Sequence, residues 1–227
     1  MKPVCLVLGA GAGIGGTVAK KFASEGYHSF LCRRSDQEGL DRLIGDIENS
    51  GGSASGQLIN AIEENVLEEL INKVETEVGP IEVVVYNLGA QTGMKLLSQT
   101  SYKEFEWGWK MASFGLFRVA KVLCPLMVER GRGTILVTSA TAAMRGNATQ
   151  HSHAAAMAGR RMLCQSLNAE FSSKGIHVAH IIVDGAVDAP DTLGKMLGAE
   201  MYQQLRETKG MEHDGLLLPE EIAKTYY

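Results

Sequence analysis

The stretch Val4-Cys5-Leu6-Val7-Leu8-Gly9-Ala10-Gly11-Ala12-Gly13-Ile14-Gly15-Gly16 decides how this chain folds. Its first five residues form an uninterrupted apolar run, which is typical of a buried parallel strand. Residues Thr17 to Gly26 place apolar side chains at helical spacing and end at a glycine, so a helix follows the turn. A glycine-rich turn between a strand and a helix start offers unpaired N–H groups to an anion such as a pyrophosphate.

The glycines of this turn can be counted in two ways. The pattern G-x-G-x-x-G would use Gly11, Gly13 and Gly16, which lie too far beyond the end of the strand. The pattern Gly9-x-x-x-Gly13-x-Gly15 begins directly after the strand and therefore fits better. The alternative interpretation is a glycine turn that serves only close packing of the helix on the strand.

Length, charge and cysteine usage bound the class of protein. The 227 residues can bury a full core, and one domain is the default at this length. A net charge of −4 and an isoelectric point near 5.9 indicate no basic surface, so we expect neither a nucleic acid nor a membrane as partner. The apolar run at the start of the chain is too short for a signal peptide. We expect no membrane-spanning run and a cytoplasmic location. Four scattered cysteines without a C-x-x-C pair predict buried thiols and no metal site: Cys5, Cys32, Cys124 and Cys164.

Strands and helices alternate along the rest of the chain. Apolar runs predict strands at residues 28–32, 81–86, 134–138 and 177–183, and the segment 54–58 is a weaker strand signal. Helices are predicted at residues 35–49, 63–78, 102–129, 151–172 and 191–207, with a capping box formed by Ser35 and Glu38 and a kink or break at Pro125. This alternation predicts an α/β fold with a doubly wound parallel sheet in three layers, as one domain over residues 1–227.

Several motifs of this chain resemble those of the short-chain dehydrogenase/reductase family. Besides the first glycine turn, they include Tyr86-Asn87-Leu88-Gly89 after the fourth strand, Lys174-Gly175-Ile176-His177-Val178, and Val183-Asp184-Gly185-Ala186-Val187 in place of a Pro-Gly turn. The resemblance covers essentially the whole chain and implies a Rossmann domain that binds NAD(P). The residues that it implies for the cofactor are Gly9, Ala12, Gly13, Ile14, Gly15, Arg33, Asn60, Ala61, Asn87, Leu88, Gly89, Gly185 and Val187. The family has one more strand after position 227, so we expect a sheet without it, whether the chain is naturally short or truncated.

The end of the second strand indicates which cofactor the chain prefers. Where an acidic side chain would bind the ribose of NAD, this chain has Cys32, followed by Arg33 and Arg34. Guanidinium groups can bind a 2′-phosphate, so NADP(H) is favoured over NAD(H). The alternative interpretation is a pair of solvated arginines. Asn60 falls where many family members have an Asp that contacts the adenine ring, and an amide can serve there.

The catalytic positions of the family are changed in this chain. The resemblance implies an Asn, a Ser and a Tyr-x-x-x-Lys pair, and an ungapped alignment through Gly146 places His153 and Met157 on that pair. The Ser position falls on Ala140, beside Ser139, and the Asn position falls on Ala112. We therefore expect His153 as proton donor and Ser139 as the group that bonds the substrate oxygen. The alternative is an exposed His153 without a catalytic role.

Two functions therefore remain open from the sequence. One is an NADP(H)-dependent oxidoreductase of a small carbonyl or alcohol substrate, and the other is a cofactor-binding homologue without turnover that acts as sensor or partner subunit. The segments Gln91 to Gln99 and Ala189 to Gly215 would line the substrate pocket. We also expect a homodimer or homotetramer formed by the long helix and the alanine-rich helix at 151–172, the alternative being internal packing of the small residues Ala154, Ala155, Ala158 and Gly159.

Overall fold

The computed structural model describes residues 2–89, 93–209 and 215–227. Its strands are β1 (Val4–Leu8), β2 (His28–Arg33), β3 (Ser53–Leu58), β4 (Ile81–Tyr86), β5 (Gly133–Ala140) and β6 (Ile176–Val183). Its α-helices are α1 (Ile14–Ser24), α2 (Gln37–Asn49), α3 (Val66–Lys73), α4 (Tyr102–Trp109), α5 (Gly115–Arg130), α6 (His151–Phe171), α7 (Lys195–Leu197), α8 (Ala199–Lys209) and α9 (Pro219–Lys224).

The strands form one six-stranded sheet in the order β3-β2-β1-β4-β5-β6. The pairs β1 with β2, β2 with β3, β4 with β5 and β5 with β6 are all parallel. Because each strand is followed by a helical crossover, the sheet is doubly wound, and the predicted α/β fold class is confirmed. In such sheets ligands bind beyond the carboxyl ends of the strands, so binding residues are expected in the loops that follow β1, β2, β4 and β5.

The chain divides into two compact units. One, which we call the terminal unit, consists mainly of residues Val4–Leu58 and Asp184–Tyr227, and the other, the central unit, mainly of Ile59–Val183. In the terminal unit β1 is fully buried, and α1 packs against α9. The ring of Phe22 lies edge-on to that of Tyr227, with 5.6 Å between ring centroids.

The central unit is built around β4, β5 and the helices α3, α5 and α6. Tyr86 at the end of β4 is fully buried and donates its hydroxyl hydrogen to the carbonyl oxygen of Met111. Two arginines are also buried in this unit, Arg118 on α5 and Arg160 on α6. Because a buried charge must be hydrogen-bonded to be tolerated, each of these two arginines needs hydrogen-bond acceptors inside the protein.

Helix ends and irregular turns differ most from the sequence-based expectation. The predicted capping box of Ser35 and Glu38 is wrong, because Asp36 caps α2 by accepting a hydrogen bond from the N–H of Gly39 at 3.0 Å. Of the predicted kink or break at Pro125, the break is wrong, since Pro125 lies inside the continuous helix α5, and the kink stays a prediction. The irregularity lies earlier, in a π-helical turn at Lys110–Phe114 between α4 and α5.

The expectation that no run reaches membrane-spanning length is corrected by the long helical segment Tyr102–Arg130. Its 29 residues are long and apolar enough to cross a membrane, although most of its apolar window is buried inside the protein. A core helix of a soluble protein passes the same test of length and composition. This segment is therefore weak support for a membrane span.

Candidate functional site

The glycine turn of the terminal unit connects β1 to α1. The N–H groups of Gly9 and Ala10 both donate to the carbonyl oxygen of Cys32, at 3.0 and 2.9 Å, which fixes the start of the turn against the end of β2. The N–H of Gly16 donates to the carbonyl oxygen of Gly11 at 2.8 Å. A Cβ atom on Gly16 would lie 2.5 Å from that same oxygen, so the turn excludes any side chain at this position.

The start of α1 is the part of this turn that can hold an anion. Gly13 occupies the N-cap position, and no side chain caps the helix. Within residues 2–89, 93–209 and 215–227, the N–H groups of Ile14 and Gly15 have no acceptor, while Gly13 and Gly15 are buried. Unpaired N–H groups at a helix start attract negative charge, and the helix dipole adds to that attraction.

Arg33 ends β2 and is held by its neighbours. Its Nη2 atom lies 2.9 Å from Oδ2 of Asp36, and only 14% of its side chain is exposed. A Cβ atom on Gly39 would lie 2.4 Å from Nη1 of Arg33, so the guanidinium occupies the space that a larger residue would fill. The N–H of Gly39, and to a smaller degree Arg33, keep the pKa of Asp36 below its usual range. Arg33 is therefore oriented before any ligand arrives.

A cavity of about 170 Å³ lies beside the glycine turn in the terminal unit. Three cationic side chains line it, those of Lys20, Arg33 and Arg42, together with Ala12 and Thr17 of the turn and of α1. Asp46, the acidic side chain of the lining, accepts a hydrogen bond from Lys20 at 2.8 Å. This excess of cations makes the cavity suited to an anionic group.

Gly185 and Val187 lie in the segment that follows β6. Val187 forms a parallel bridge with Leu217, and the N–H of Asp188 donates to the carbonyl oxygen of Leu217 at 2.8 Å. The hydroxyl of Tyr202 donates to the carboxylate of Asp188, which also pairs with Arg206 at 3.4 Å. These contacts fix the ends of the predicted pocket segment 189–215, whose residues 210–214 lie outside the described residues.

Asn60 and Ala61 lie at the start of the central unit, shortly after the end of β3. The amide nitrogen of Asn60 donates to Glu63 at 2.8 Å, whereas its Oδ1 atom is buried and has no partner in the described part of the chain. The carbonyl oxygen of Ala61 accepts a hydrogen bond from Arg118 at 3.1 Å, and Arg118 also binds Glu68 through two nitrogens. An unpartnered buried acceptor is costly, so Asn60 is poised to accept a donor from a ligand.

Asn87, Leu88 and Gly89 form the loop after β4. Asn87 and Leu88 are half-buried and Gly89 is exposed. The carbonyl oxygen of Leu88 accepts a hydrogen bond from Nη2 of Arg160. Residues 91 and 92, which begin the first predicted pocket segment, lie outside the described residues.

Ser139 lies near the end of β5 and is 4% exposed. Its hydroxyl is directed at the sulfur of Met157, with 3.8 Å between Oγ and Sδ. Met157 itself is 2% exposed and packs in an apolar cluster with Ala112, Ala143 and Ala156. Two of the aligned family positions, 112 and 157, are thus filled by buried apolar side chains, and a thioether is only a weak hydrogen-bond acceptor.

His153 lies in the first turn of α6 and is half-buried, not fully exposed. Helical spacing places it on the same face as Met157, one turn further along, and as Arg160. Ser139 and Met157 are brought together by the structure, and His153 lies on the helix that carries Met157. Whether His153 donates a proton stays a prediction.

Arg118 and Arg160 are the residues that sequence reasoning missed. Each is a single arginine within an otherwise ordinary helix, and neither matches a motif. The only available signal was that positions 118 and 160 fall on the apolar face of their helices. That signal is weak, because arginine is almost never fully buried.

Comparisons with known proteins agree with this geometry. A family model described as short chain dehydrogenase matches residues 3–195. The 3-oxoacyl-(acyl-carrier-protein) reductase FabG of Thermotoga maritima is 28% identical over 189 residues, which cover 83% of this chain and 76% of that protein.

Two solved structures share the fold. A short-chain dehydrogenase from Rhodopseudomonas palustris is 30% identical, with a TM-score of 0.75, over 95% of this chain and 94% of that chain. A 7α-hydroxysteroid dehydrogenase complexed with NADH and 7-oxo glycochenodeoxycholic acid is 24% identical, with a TM-score of 0.86, over 99% of this chain and 85% of that chain. The second likeness concerns the fold alone.

Proposed function

Because this chain belongs to the short-chain dehydrogenase family, we propose that it is an oxidoreductase that binds NADP(H) in preference to NAD(H) and acts on a small carbonyl or alcohol. The observation that carries the proposal is the anion site at the start of α1, where the N–H groups of Ile14 and Gly15 have no acceptor in the described residues. A dinucleotide brings a pyrophosphate of matching charge to such a site.

The terminal unit also supports the choice of NADP(H). Gly9, Ala12 and Gly13 would approach the dinucleotide with their backbone, and Arg33 would bind the 2′-phosphate together with the cations of the adjoining cavity. Arg33 keeps donors beyond the one that faces Asp36, since a guanidinium carries five N–H groups. The related 7α-hydroxysteroid dehydrogenase was solved with NADH, so the preference for NADP(H) rests on these side chains and not on likeness.

The central unit offers a partner for the adenine ring. The buried Oδ1 atom of Asn60 has no partner in the described residues and could accept a hydrogen bond from an exocyclic amine. In the central unit, Ala61 and the loop of Asn87, Leu88 and Gly89 would contribute backbone groups. In the terminal unit, Gly185 and Val187 would do the same. Each unit, taken by itself, therefore offers groups that fit part of a nicotinamide dinucleotide.

A bound nicotinamide cofactor supplies the hydride. The chain's own residues must then orient the substrate and deliver a proton, and we assign these tasks to Ser139 and His153. His153 can exchange a proton near neutral pH, because the ordinary pKa of histidine is about 6.5. Ser139 must turn its hydroxyl from Met157 towards the substrate, at the small cost of one weak hydrogen bond.

A second candidate is a homologue that binds the cofactor without turnover. It is favoured by the apolar cluster around Met157, which leaves positions 112 and 157 without polar atoms in their side chains. Loss of a general acid lowers a rate by about 10²–10⁴-fold. Positioning of two reactants can supply about 7–11 kcal/mol, so slow reduction without the usual acid is still consistent with the site.

Calorimetric titration tests the cofactor preference. We expect the protein to bind NADPH more tightly than NADH, and Arg33→Ala to weaken NADPH binding by about 10- to 150-fold while NADH binding stays unchanged. Arg34→Ala is the matched control, because the Arg34 side chain is exposed and does not line the cavity. Equal affinity for both cofactors, or an unchanged NADPH affinity in Arg33→Ala, would refute the preference.

Turnover against a panel of aldehydes and ketones separates the two candidates. Oxidation of NADPH, followed at its absorbance band, that depends on an added carbonyl supports the oxidoreductase. Tight NADPH binding without turnover on any carbonyl or, in the reverse direction, any alcohol would leave the second candidate. No binding of either cofactor would reject both.

We also propose that two or four copies of the chain associate through α4, α5 and α6. The rings of Trp109 and Phe114 stack with 5.3 Å between centroids, and Phe117 continues the stack, although all three side chains are 39–46% exposed. On α6, Ala155, Ala158 and Gly159 are exposed. Exposed aromatic residues beside a small-residue face suit a second copy of this chain.

A single domain over residues 1–227 and a cytoplasmic location complete the proposal. The family match extends without interruption through residues of both compact units, which supports one domain. All four cysteines are buried as free thiols, and burial raises the pKa of Cys164 to about 12 and that of Cys124 to about 11. Such thiols suit a reducing compartment.

A further inference from the structure

Arg160 is the largest fully buried side chain of the described residues, with 1% of its surface exposed. All three nitrogens of its guanidinium donate hydrogen bonds to backbone carbonyl oxygens. The acceptors are Ala112 at 3.2 Å, Thr138 at 2.5 Å, and Leu88. The guanidinium also lies over the ring of Tyr86, 5.2 Å from its centroid.

These acceptors belong to three different segments of the central unit. Leu88 lies in the loop after β4, Thr138 immediately precedes Ser139 on β5, and Ala112 lies in the π-helical turn between α4 and α5. One planar guanidinium group therefore joins the loop assigned to the cofactor, the strand that carries Ser139, and the aligned position 112. Arginine suits this task better than lysine, because its donors have a fixed fork geometry.

The positive charge of Arg160 also affects a neighbouring titratable group. His180 lies on β6, where it pairs with Val137 of β5, and burial, together with Arg160 and Arg161, lowers its pKa. Arg160 lies three residues beyond Met157 on α6, and residues at this spacing are neighbours on a helix surface. A fixed cation thus lies next to the buried, uncharged position 157.

We propose that Arg160 is the positioning residue of the nicotinamide side of the central unit. It acts through the backbone of Leu88, Thr138 and Ala112, which it holds at fixed separations, and not through contact with the reacting atoms. This inference rests on the proposed function, because it assigns the loop after β4 to the cofactor. The three hydrogen bonds from Arg160 to Leu88, Thr138 and Ala112 are called the clamp below. The proposal predicts that loss of the clamp weakens binding of the nicotinamide half, while the adenine half binds normally.

Arg118 provides a matched control within the same unit. It is also buried, at 8% exposure, and it also holds a backbone carbonyl, but the carbonyl is that of Ala61 beside Asn60. The experiment therefore compares Arg160→Lys with Arg118→Lys, two variants that each keep a positive charge. For each variant the affinities for NADPH and for 2′-phospho-ADP-ribose, which lacks the nicotinamide, are measured by calorimetry.

We expect Arg160→Lys to weaken NADPH binding by about tenfold or more and to leave binding of the fragment unchanged, since one lysine cannot hold three carbonyls. Arg118→Lys should weaken both ligands. Equal losses for both ligands in Arg160→Lys, or no loss at all, would overturn the positioning role, because a merely structural defect would not distinguish the two halves.

Amide hydrogen exchange keeps the test independent of the cofactor. In Arg160→Met, exchange should accelerate at residues 86–89 and 110–114, and in Arg118→Met it should not accelerate there. Unchanged exchange at these segments in Arg160→Met would overturn the clamp itself. If the unaltered protein binds neither NADPH nor NADH, the proposed function fails; faster exchange would then retain the clamp and reject its nicotinamide role.

Discussion

Replacing Met157 by lysine introduces the residue type that the ungapped alignment through Gly146 assigns to this position, yet we expect it to destabilise the protein rather than activate it. Met157 is 2% exposed and packs with Ala112, Ala143 and Ala156, and although the Ser139 hydroxyl lies 3.8 Å from its sulfur, that neutral group cannot compensate the charge of an ammonium. Arg160, three residues further along the helix, adds a like charge nearby. The substitution therefore places a cation in an apolar space beside another cation.

The size of the effect follows from this burial. Full burial lowers the pKa of a lysine by up to about 3–5 units, and each unit corresponds to 1.36 kcal/mol. At pH 7 the free energy of unfolding of Met157→Lys should therefore lie about 3–5 kcal/mol below that of Met157→Leu, which keeps an apolar side chain of similar volume. Such a loss is a large part of the about 5–15 kcal/mol that stabilises a typical domain.

The stability of Met157→Lys should also change with pH in a predictable direction. The folded variant loses the lysine proton at a lower pH than the unfolded chain, so between the two pKa values the unfolded state binds more protons and stability rises with pH. Urea unfolding at pH 7 and 9.5 measures the difference between the free energies of unfolding of Met157→Lys and Met157→Leu. This gap should be smaller at pH 9.5 than at pH 7 by up to about 3 kcal/mol. A gap that is absent at pH 7 or does not narrow, or a gain in carbonyl reduction without loss of stability, would refute this reasoning.

Three further outcomes follow from the described contacts. Ala158→Glu, at an exposed position of α6, should shift light scattering at micromolar concentration towards the monomer, and an unchanged oligomer would count against the proposed interface. If His153 is the donor, NADPH-dependent reduction should rise as the pH falls through the pKa of its imidazole and be lost in His153→Phe; flat activity between about pH 5 and 8 would exclude it. The hydrogen bond from Arg118 keeps the pKa of Glu68 low, so stability from this pair is present above the ordinary glutamate pKa and lost as the pH falls through the lowered value. In Glu68→Gln, thermal unfolding curves should no longer show the loss of stability that this pair causes at acidic pH. A variant that loses as much stability at acidic pH as the unaltered protein would contradict the assignment.

The fold was predictable because several of its strands, β1 and β4 above all, consist largely of continuous apolar runs. The buried run Val4–Leu8 and the glycine turn after it are local features, and their period and spacing do not depend on the rest of the chain. The cap of α2 was not predictable in the same way. Asp36 adopts a left-handed φ of 72° and takes the place expected for Ser35, and only the surrounding turn decides which of two neighbouring polar residues caps the helix.

The candidate site was predictable only in part, for a physical reason. Gly9, Gly13 and Gly15 have a spacing that a motif describes, whereas Arg160 looks in the sequence like one member of a surface pair with Arg161. Its burial results from three carbonyl groups that come together only in the folded chain. The turn of the backbone at Lys110–Phe114 is likewise a tertiary effect, since nothing in the local composition requires a wider helical turn there.

The division of the chain also has a consequence for its synthesis. The central unit consists mainly of one continuous segment, from Ile59 to Val183, whereas the terminal unit joins residues from both ends of the sequence. Domains fold as units while the ribosome extends the chain from its N-terminus. The first 58 residues therefore cannot complete their tertiary contacts early in synthesis. Their apolar side chains stay partly uncovered until α9 and Tyr227 leave the ribosome and pack against α1. We expect this nascent segment, rather than the central unit, to be the one that needs a chaperone on the ribosome.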